Sequence, residues 1–96
     1  MDIAAARKAI DKLDEKIVKL LSRRMRFSML IARKKSAAGL PWRDAAREAF
    51  ILKRAARLAQ NPLRGKAAAQ VLERVLEVSR AATKAATKRG RNEKRA

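Results

Sequence analysis

The chain contains no cysteine, no histidine and no tyrosine, and only three of its 96 residues are aromatic. Without cysteine it has neither disulfide bonds nor a thiol nucleophile. Without histidine it lacks the usual general base and the commonest metal ligand. Any catalysis must therefore depend on substrate positioning and electrostatics rather than on metal or acyl-transfer chemistry, and we expect no cofactor.

Long apolar runs are also missing. No stretch approaches the roughly 18 apolar residues of a membrane span, and the first residues contain no apolar run resembling a signal peptide. These absences predict a cytoplasmic protein without a membrane segment. A chain of 96 residues fits one domain with a modest core, which oligomerisation would enlarge.

Negative charge is scarce, because 26 lysines and arginines face nine acidic residues and leave a net charge of +17. This excess favours an anionic partner, which could be nucleic acid, an acidic membrane surface or a carboxylate or phosphate ligand. Charge alone does not choose among them. We interpret residues 1–86 as one helical domain and residues 87–96 as a basic, disordered tail that binds polyanions at most non-specifically.

Apolar periodicity predicts one long helix from about residue 5 to about residue 36. This segment has no proline or glycine, and its apolar residues recur at three- and four-residue steps. At 1.5 Å per residue it would span roughly 45 Å, more than a globule of this size needs. Part of the apolar stripe must then contact a second chain, so we predict a homodimer.

Glycine and proline interrupt the helical pattern at residues 37–42 and again at residues 60–65. A second helix should begin near Arg43 or Asp44, and a third should cover about residues 66–88. No segment alternates with period two as a strand would. The predicted fold class is all-α, with one long helix and two shorter ones.

Two cations lie within the apolar stripe of the long helix. Arg24 and Lys35 are eleven residues apart, which leaves them roughly 20° apart in direction and about 16 Å apart along the axis. Both side chains could reach one small anion, although cations on a helix are more often a solvated face. Arg7 points about 100° away from Arg24, so an anion site that it serves would belong to another subunit.

Two further polar groups share helical faces. Asp44, Arg47 and Glu48 lie at the start of the second helix, where they could form a site or only a capped helix start with an Asp44–Arg47 pair. We interpret Arg47 as the residue that orients the two acids. Ser79 and Thr83 are four residues apart, so their hydroxyl groups point the same way.

The order of these polar positions, together with the loop sequence GLPWRDAARE, resembles the all-helical chorismate mutases over roughly residues 5–84. Members of that family are three-helix chains that intertwine into a homodimer with two active sites. They convert chorismate to prephenate by an intramolecular rearrangement that requires no nucleophile, base or metal. The resemblance implies a small dicarboxylate substrate, chorismate, and the same intertwined homodimer.

The resemblance also implies roles for individual residues. Arg24 would pair with one substrate carboxylate, and Arg7 of the partner chain would pair with the other. Lys35 would hydrogen-bond the ether oxygen. Glu48 would hold the ring hydroxyl group with help from Asp44.

The third helix supplies the remaining implied contacts. Ser79 would touch a substrate carboxylate. Thr83 stands where the family usually has glutamine or glutamate donating a second hydrogen bond to the ether oxygen. The implied catalytic residues are thus Arg24, Lys35, Glu48 and Thr83.

Two alternatives remain open at this point. The same fold could act on isochorismate or 4-amino-4-deoxychorismate, because these compounds would share the anion contacts. A basic helical module that binds nucleic acid would explain the charge of +17, but it would not explain the placement of Asp44 and Glu48, and stacking aromatics are scarce.

Overall fold

A computed structural model describes the backbone of residues 1–95 and the side chains of residues 1–87. It consists of three α-helices, α1 (Ile3–Ala37), α2 (Ala45–Leu58) and α3 (Gly65–Arg95), and the described backbone contains no strand. This confirms the predicted all-α class and its three helices. Over the described residues, none of the helices combines the length and hydropathy that a membrane crossing requires.

Only part of the predicted basic tail can be compared with the structure. The bounds of α3 include most of residues 87–96, and Thr87 is buried, with its hydroxyl group donating to the carbonyl oxygen of Thr83 at 2.8 Å. The side chains of residues 88–96 lie outside the described residues. The disorder of this segment stays a prediction.

The turn that ends α1 contains Gly39, four residues after Lys35, the last functional candidate on this helix. Gly39 has a φ of +71°, the left-handed conformation that favours glycine. It donates its N–H to the carbonyl oxygen of Ser36 at 3.1 Å, and Leu40 donates to that of Lys35 at 2.8 Å. This pair of bonds is a Schellman motif, which satisfies the last carbonyl groups and turns the chain toward α2.

The third helix holds the fold together, because it packs against both α1 and α2. Its first residue is Gly65, where an added Cβ atom would lie 2.9 Å from the carbonyl oxygen of Ala56 in α2. The absence of a side chain therefore lets the two backbones approach closely at this corner. The approach sets α3 alongside α2 and brings its central turns toward the start of that helix.

The core of a single chain is small. Its buried apolar residues are Ala32, Ala68, Leu76 and Ala86, and no large side chain in the described part is fully buried. The Cα atoms extend over 58 × 27 × 14 Å, so the chain is too thin to enclose more. Beyond the first turn of α1, nine large apolar side chains are consequently exposed by 38 to 62%: Ile10, Leu13, Ile17, Val18, Leu20, Leu21, Phe27, Leu30 and Ile31.

Candidate active site

A pocket of about 280 Å³ lies where the second half of α1, the start of α2 and the middle of α3 meet. One face of α1 forms one wall, at steps of three and four residues. These α1 residues are Arg24, Phe27, Ser28, Ile31, Ala32 and Lys35. Six of the seven site residues derived from the sequence line this pocket: Arg24, Lys35, Asp44, Glu48, Ser79 and Thr83.

The two α1 cations are held at opposite ends of that wall. Arg24 is half-buried and its Nη1 donates to the Oγ atom of Ser79 at 3.1 Å. Lys35 is also half-buried. Its carbonyl oxygen accepts a hydrogen bond from the N–H of Leu40 in the Schellman motif that ends α1. The structure therefore brings Arg24 and Lys35 to one pocket, as their spacing on α1 predicts, and the volume of that pocket would accommodate a small anion.

Asp44 caps α2 and so directs the first turn of that helix at the pocket. Its Oδ1 accepts a hydrogen bond from the backbone N–H of Arg47 at 2.9 Å, which satisfies one of the unpaired donors at the helix start. The cap orients the next turn, so that the Glu48 side chain, 17% exposed, turns inward. Asp44 therefore both caps α2 and lines the pocket.

The Glu48 carboxylate is held by residues that the sequence argument did not assign to it. Arg80 Nη1 donates to its Oε1 at 2.7 Å, and Arg43 Nη2 lies 3.4 Å from the same oxygen. Arg47 instead places its guanidinium over the ring of Phe50, 5.1 Å from the centroid. Arg47 was interpreted as the residue that orients both Asp44 and Glu48, but its guanidinium pairs with neither acid, and only its backbone N–H bonds Asp44.

The hydroxyl group of Thr83 is engaged within its own helix. Thr83 is buried, and its Oγ1 donates to the carbonyl oxygen of Ser79 at 2.9 Å. The carbonyl oxygen of Arg80 is a second acceptor for the same hydroxyl group, at 3.1 Å. Threonine commonly makes such a bond to the preceding turn of a helix. In this arrangement its proton does not point at a ligand, so the position offers no side-chain donor to the pocket.

Arg7 is the one predicted site residue that does not line the pocket of its own chain. It is exposed near the start of α1, seventeen residues before Arg24, a distance of about 25 Å along the helix axis. No side chain spans that distance. The structure of one chain thus agrees with the expectation that Arg7 cannot serve its own pocket.

Arg80 and Arg43 were not among the site residues predicted from the sequence, although the sequence contains a signal for Arg80. Arg80 lies three residues before Thr83, and the α3 residues that line the pocket follow helical steps: Leu76, Ser79, Arg80 and Thr83. Extending the Ser79–Thr83 face by one position would have included it. Arg43 precedes the helix, in a loop whose direction helical periodicity does not determine.

The pocket is strongly cationic for its size. Five lysine or arginine side chains and two acidic ones line it, with apolar walls between them. Among the described residues there is no group of three or more potential metal ligands. The arrangement can hold a small molecule with more than one negative charge, offer Glu48 as an acceptor to a ligand hydroxyl group, and restrict the conformation of what it holds.

Fold and pocket together define a small all-helical protein with one cationic pocket between its three helices. Residues 6–84 match the family model for chorismate mutase type II. No curated protein sequence matches the chain. Since the matched residues make up most of its 96 residues, the chain belongs to the chorismate mutase type II family.

Proposed function

We propose that this protein is a chorismate mutase, which rearranges chorismate to prephenate. The observation that carries the proposal is the pocket in which Arg24 and Lys35 of α1 face Glu48 of α2. Membership of the family supports it. A dicarboxylate that also bears a ring hydroxyl group needs this combination of separated cations and one carboxylate acceptor.

In the proposed mechanism the protein acts by restraint and by charge. One carbon–oxygen bond breaks while one carbon–carbon bond forms within the same molecule, so no protein nucleophile or base takes part. Arg24 binds one carboxylate and fixes the substrate in a compact conformation. Lys35 stabilises the negative charge that grows on the ether oxygen, an interaction that is strongest in the transition state.

The opposite wall would bind the rest of the substrate. Glu48 accepts a hydrogen bond from the ring hydroxyl group, and Asp44 helps through the capped helix start that positions it. Ser79, which already contacts Arg24 at 3.1 Å, donates to a carboxylate. Because the pocket walls between these groups are apolar, water is displaced and each charged contact is stronger than in solution.

The direct test is to incubate the purified protein with chorismate, following its disappearance by absorbance and prephenate by chromatography. Isochorismate and 4-amino-4-deoxychorismate are run in parallel. Prephenate formed much faster than in buffer supports the proposal. Turnover of one of the other compounds instead would assign the same pocket to a related substrate, and turnover of none would refute the proposed chemistry.

We further propose a homodimer, because α1 carries an apolar stripe that its own chain leaves exposed. Burying such a stripe supplies the apolar area that the thin monomer lacks, so folding and association are coupled. Light scattering behind a sizing column should give about 21 kDa, twice the 10.7 kDa of one chain. A folded 10.7 kDa monomer at micromolar concentration would contradict this.

A pair of charge variants sharpens the dimer test. Ile17→Glu places a carboxylate in the stripe and should dissociate and unfold the protein. Ser22→Glu adds the same charge on the opposite face of α1, where the exposed Ser22 bonds only the carbonyl oxygen of Val18, and should leave the mass unchanged. Equal behaviour of the two variants would argue against an interface along this stripe.

The dimer would also complete the active site. Beside Arg24 an open groove of about 420 Å³ continues between α2 and α3, with mostly apolar walls. The apolar start of a second copy's α1 fits such a groove by its chemistry. In that position Arg7 of the partner would approach the pocket and bind the second substrate carboxylate.

Thr83→Gln should raise the rate of chorismate turnover. The Thr83 hydroxyl group donates to the carbonyl oxygen of Ser79, so the ether oxygen has only Lys35 as its proposed donor. An added amide donor is worth about 1–3 kcal/mol in the transition state, which corresponds to a gain of about 5- to 150-fold. The gain should appear in kcat, because charge on that oxygen is greatest in the transition state.

Thr83→Val is the matched comparison, since it removes the hydroxyl group without adding a donor and should bring no gain. Steady-state kinetics of the three proteins, with circular dichroism as a check on folding, provide the measurement. If Thr83→Gln folds normally and turnover falls tenfold, threonine suits this pocket better than an amide does. That result would favour a variant substrate.

A further inference from the structure

A second partly buried arginine, Arg80, is bonded to the proposed hydroxyl acceptor. Its Nη1 donates to Glu48 Oε1 at 2.7 Å, and its Nη2 lies 3.6 Å from Glu73 Oε1. The side chains of Arg80 and Glu48 are only 23% and 17% exposed. Such a pair is shielded from solvent and salt, unlike the exposed Lys19–Glu15 pair on α1.

The guanidinium contacts fall on one side of the carboxylate. Arg80 and Arg43 both approach Oε1 of Glu48, at 2.7 and 3.4 Å. The second oxygen, Oε2, is left as the acceptor for a ligand group. Two guanidinium groups beside one carboxylate also offset the negative charge that a ligand in the pocket would experience from it. The free carboxylate oxygen can still accept a hydrogen bond.

We propose that Arg80 positions Glu48 and makes the site selective for a substrate with a neutral ring hydroxyl group over one with a cationic ring amine. This inference rests on the proposed function, in which Glu48 contacts that ring substituent. A hydroxyl group needs only an oriented acceptor. A protonated amine needs an uncompensated negative charge, and here it would meet the positive field of Arg80 and Arg43.

The placement of Arg80 on the pocket wall distinguishes this role from a structural salt bridge. Arg80 follows Ser79 and lies three residues before Thr83, and all three line the pocket. Its bond to Glu48 joins α3 to α2 across that pocket. Arg80 therefore limits the movement of the Glu48 side chain, and it does so from a wall of the pocket that must also hold the substrate.

The test compares chorismate with 4-amino-4-deoxychorismate as substrates of the full-length protein. Arg80→Met keeps an unbranched side chain of similar length but removes the cation and its hydrogen bonds. We expect kcat/KM for chorismate to fall about tenfold and the ratio of the two kcat/KM values to move at least tenfold toward the amine. Lys84→Ala removes an exposed cation one turn further along α3, outside the pocket, and should change neither value.

Two further variants separate positioning from charge. Arg80→Lys keeps the positive charge without the fixed geometry of guanidinium, so it should preserve the preference for the hydroxyl substrate and lose only part of kcat. In Glu48→Gln the partner of Arg80 is neutral. If Arg80 positions Glu48, adding Arg80→Met to Glu48→Gln should lower kcat/KM for chorismate less than twofold, whereas the substrate ratio should still move toward the amine because a cation is removed.

The outcomes are distinguishable. An Arg80→Met variant that folds normally and slows both substrates equally would overturn the proposal, because a structural role predicts that result. A further tenfold loss of kcat/KM for chorismate in the Glu48→Gln background would overturn it as well, because Arg80 would then not act through Glu48. If Arg80→Met does not fold, loss of the hydroxyl preference in Arg80→Lys refutes the role of charge. A wild-type protein that turns over neither compound contradicts the proposed function itself.

Discussion

Arg24→Ala is expected to lower kcat/KM for chorismate by about 10²- to 10³-fold while helicity stays unchanged. Removing one member of a desolvated, hydrogen-bonded charge pair costs about 3–4 kcal/mol, which is the origin of that factor. Arg24 is half-buried on the pocket wall, and in the structure its guanidinium contacts Ser79 at 3.1 Å. Steady-state kinetics and far-ultraviolet circular dichroism measure the two quantities.

The matched control is Arg23→Ala. Arg23 is the preceding residue on the same helix, is exposed and does not line the pocket. The two variants remove the same charge from the chain, so a general electrostatic effect on an anionic substrate would slow both equally. An Arg24→Ala protein that keeps more than a third of the wild-type kcat/KM would rule out the proposed carboxylate contact.

Arg7→Ala should be nearly as inactive as Arg24→Ala, and mixing the two inactive proteins should restore activity. If Arg7 acts across the dimer, each mixed dimer contains one site with both arginines and one site with neither. After full subunit exchange about half of the dimers are mixed, so about a quarter of the wild-type activity should return. Native mass spectrometry of differently tagged chains measures the exchange.

The control for this experiment is the double variant Arg7→Ala/Arg24→Ala mixed with wild-type protein. Its mixed dimers lack a complete site under the same model, because each site then misses one of the two arginines. Activity should therefore fall below the amount that the wild-type chains alone would provide. A mixture of the single variants that exchanges fully and stays inactive would refute the shared site.

The helices of this protein are encoded locally. Residues of α1 repeat their apolar positions at helical spacing, and the segments around Gly39 and Pro62 interrupt the pattern where the structure has its two connections. The same 100° step per residue relates Arg24 to Lys35, and Ser79 to Thr83. These pairs could be assigned to common faces before any tertiary contact was known.

Which faces meet across the pocket could not be obtained in this way. Arg80 and Glu48 are 32 residues apart in sequence, and Arg24 and Ser79 are 55 apart. These contacts depend on how α3 crosses α1 and α2, and that geometry depends on the packing of Gly65 against Ala56 and on the turn at Gly39. Periodicity describes directions around one helix axis, but not the position of one axis relative to another.

Two residues show the consequence of that difference. Arg47 has the helical spacing to pair with Asp44 and is adjacent to Glu48 in sequence, yet its guanidinium packs over Phe50. Glu48 is bonded instead by Arg80 from another helix. A side chain's direction around a helix is a local property, because the backbone hydrogen bonds impose it wherever the helix forms. Its partner is a tertiary property, because it depends on which of several nearby charges the packed helices bring within hydrogen-bonding distance.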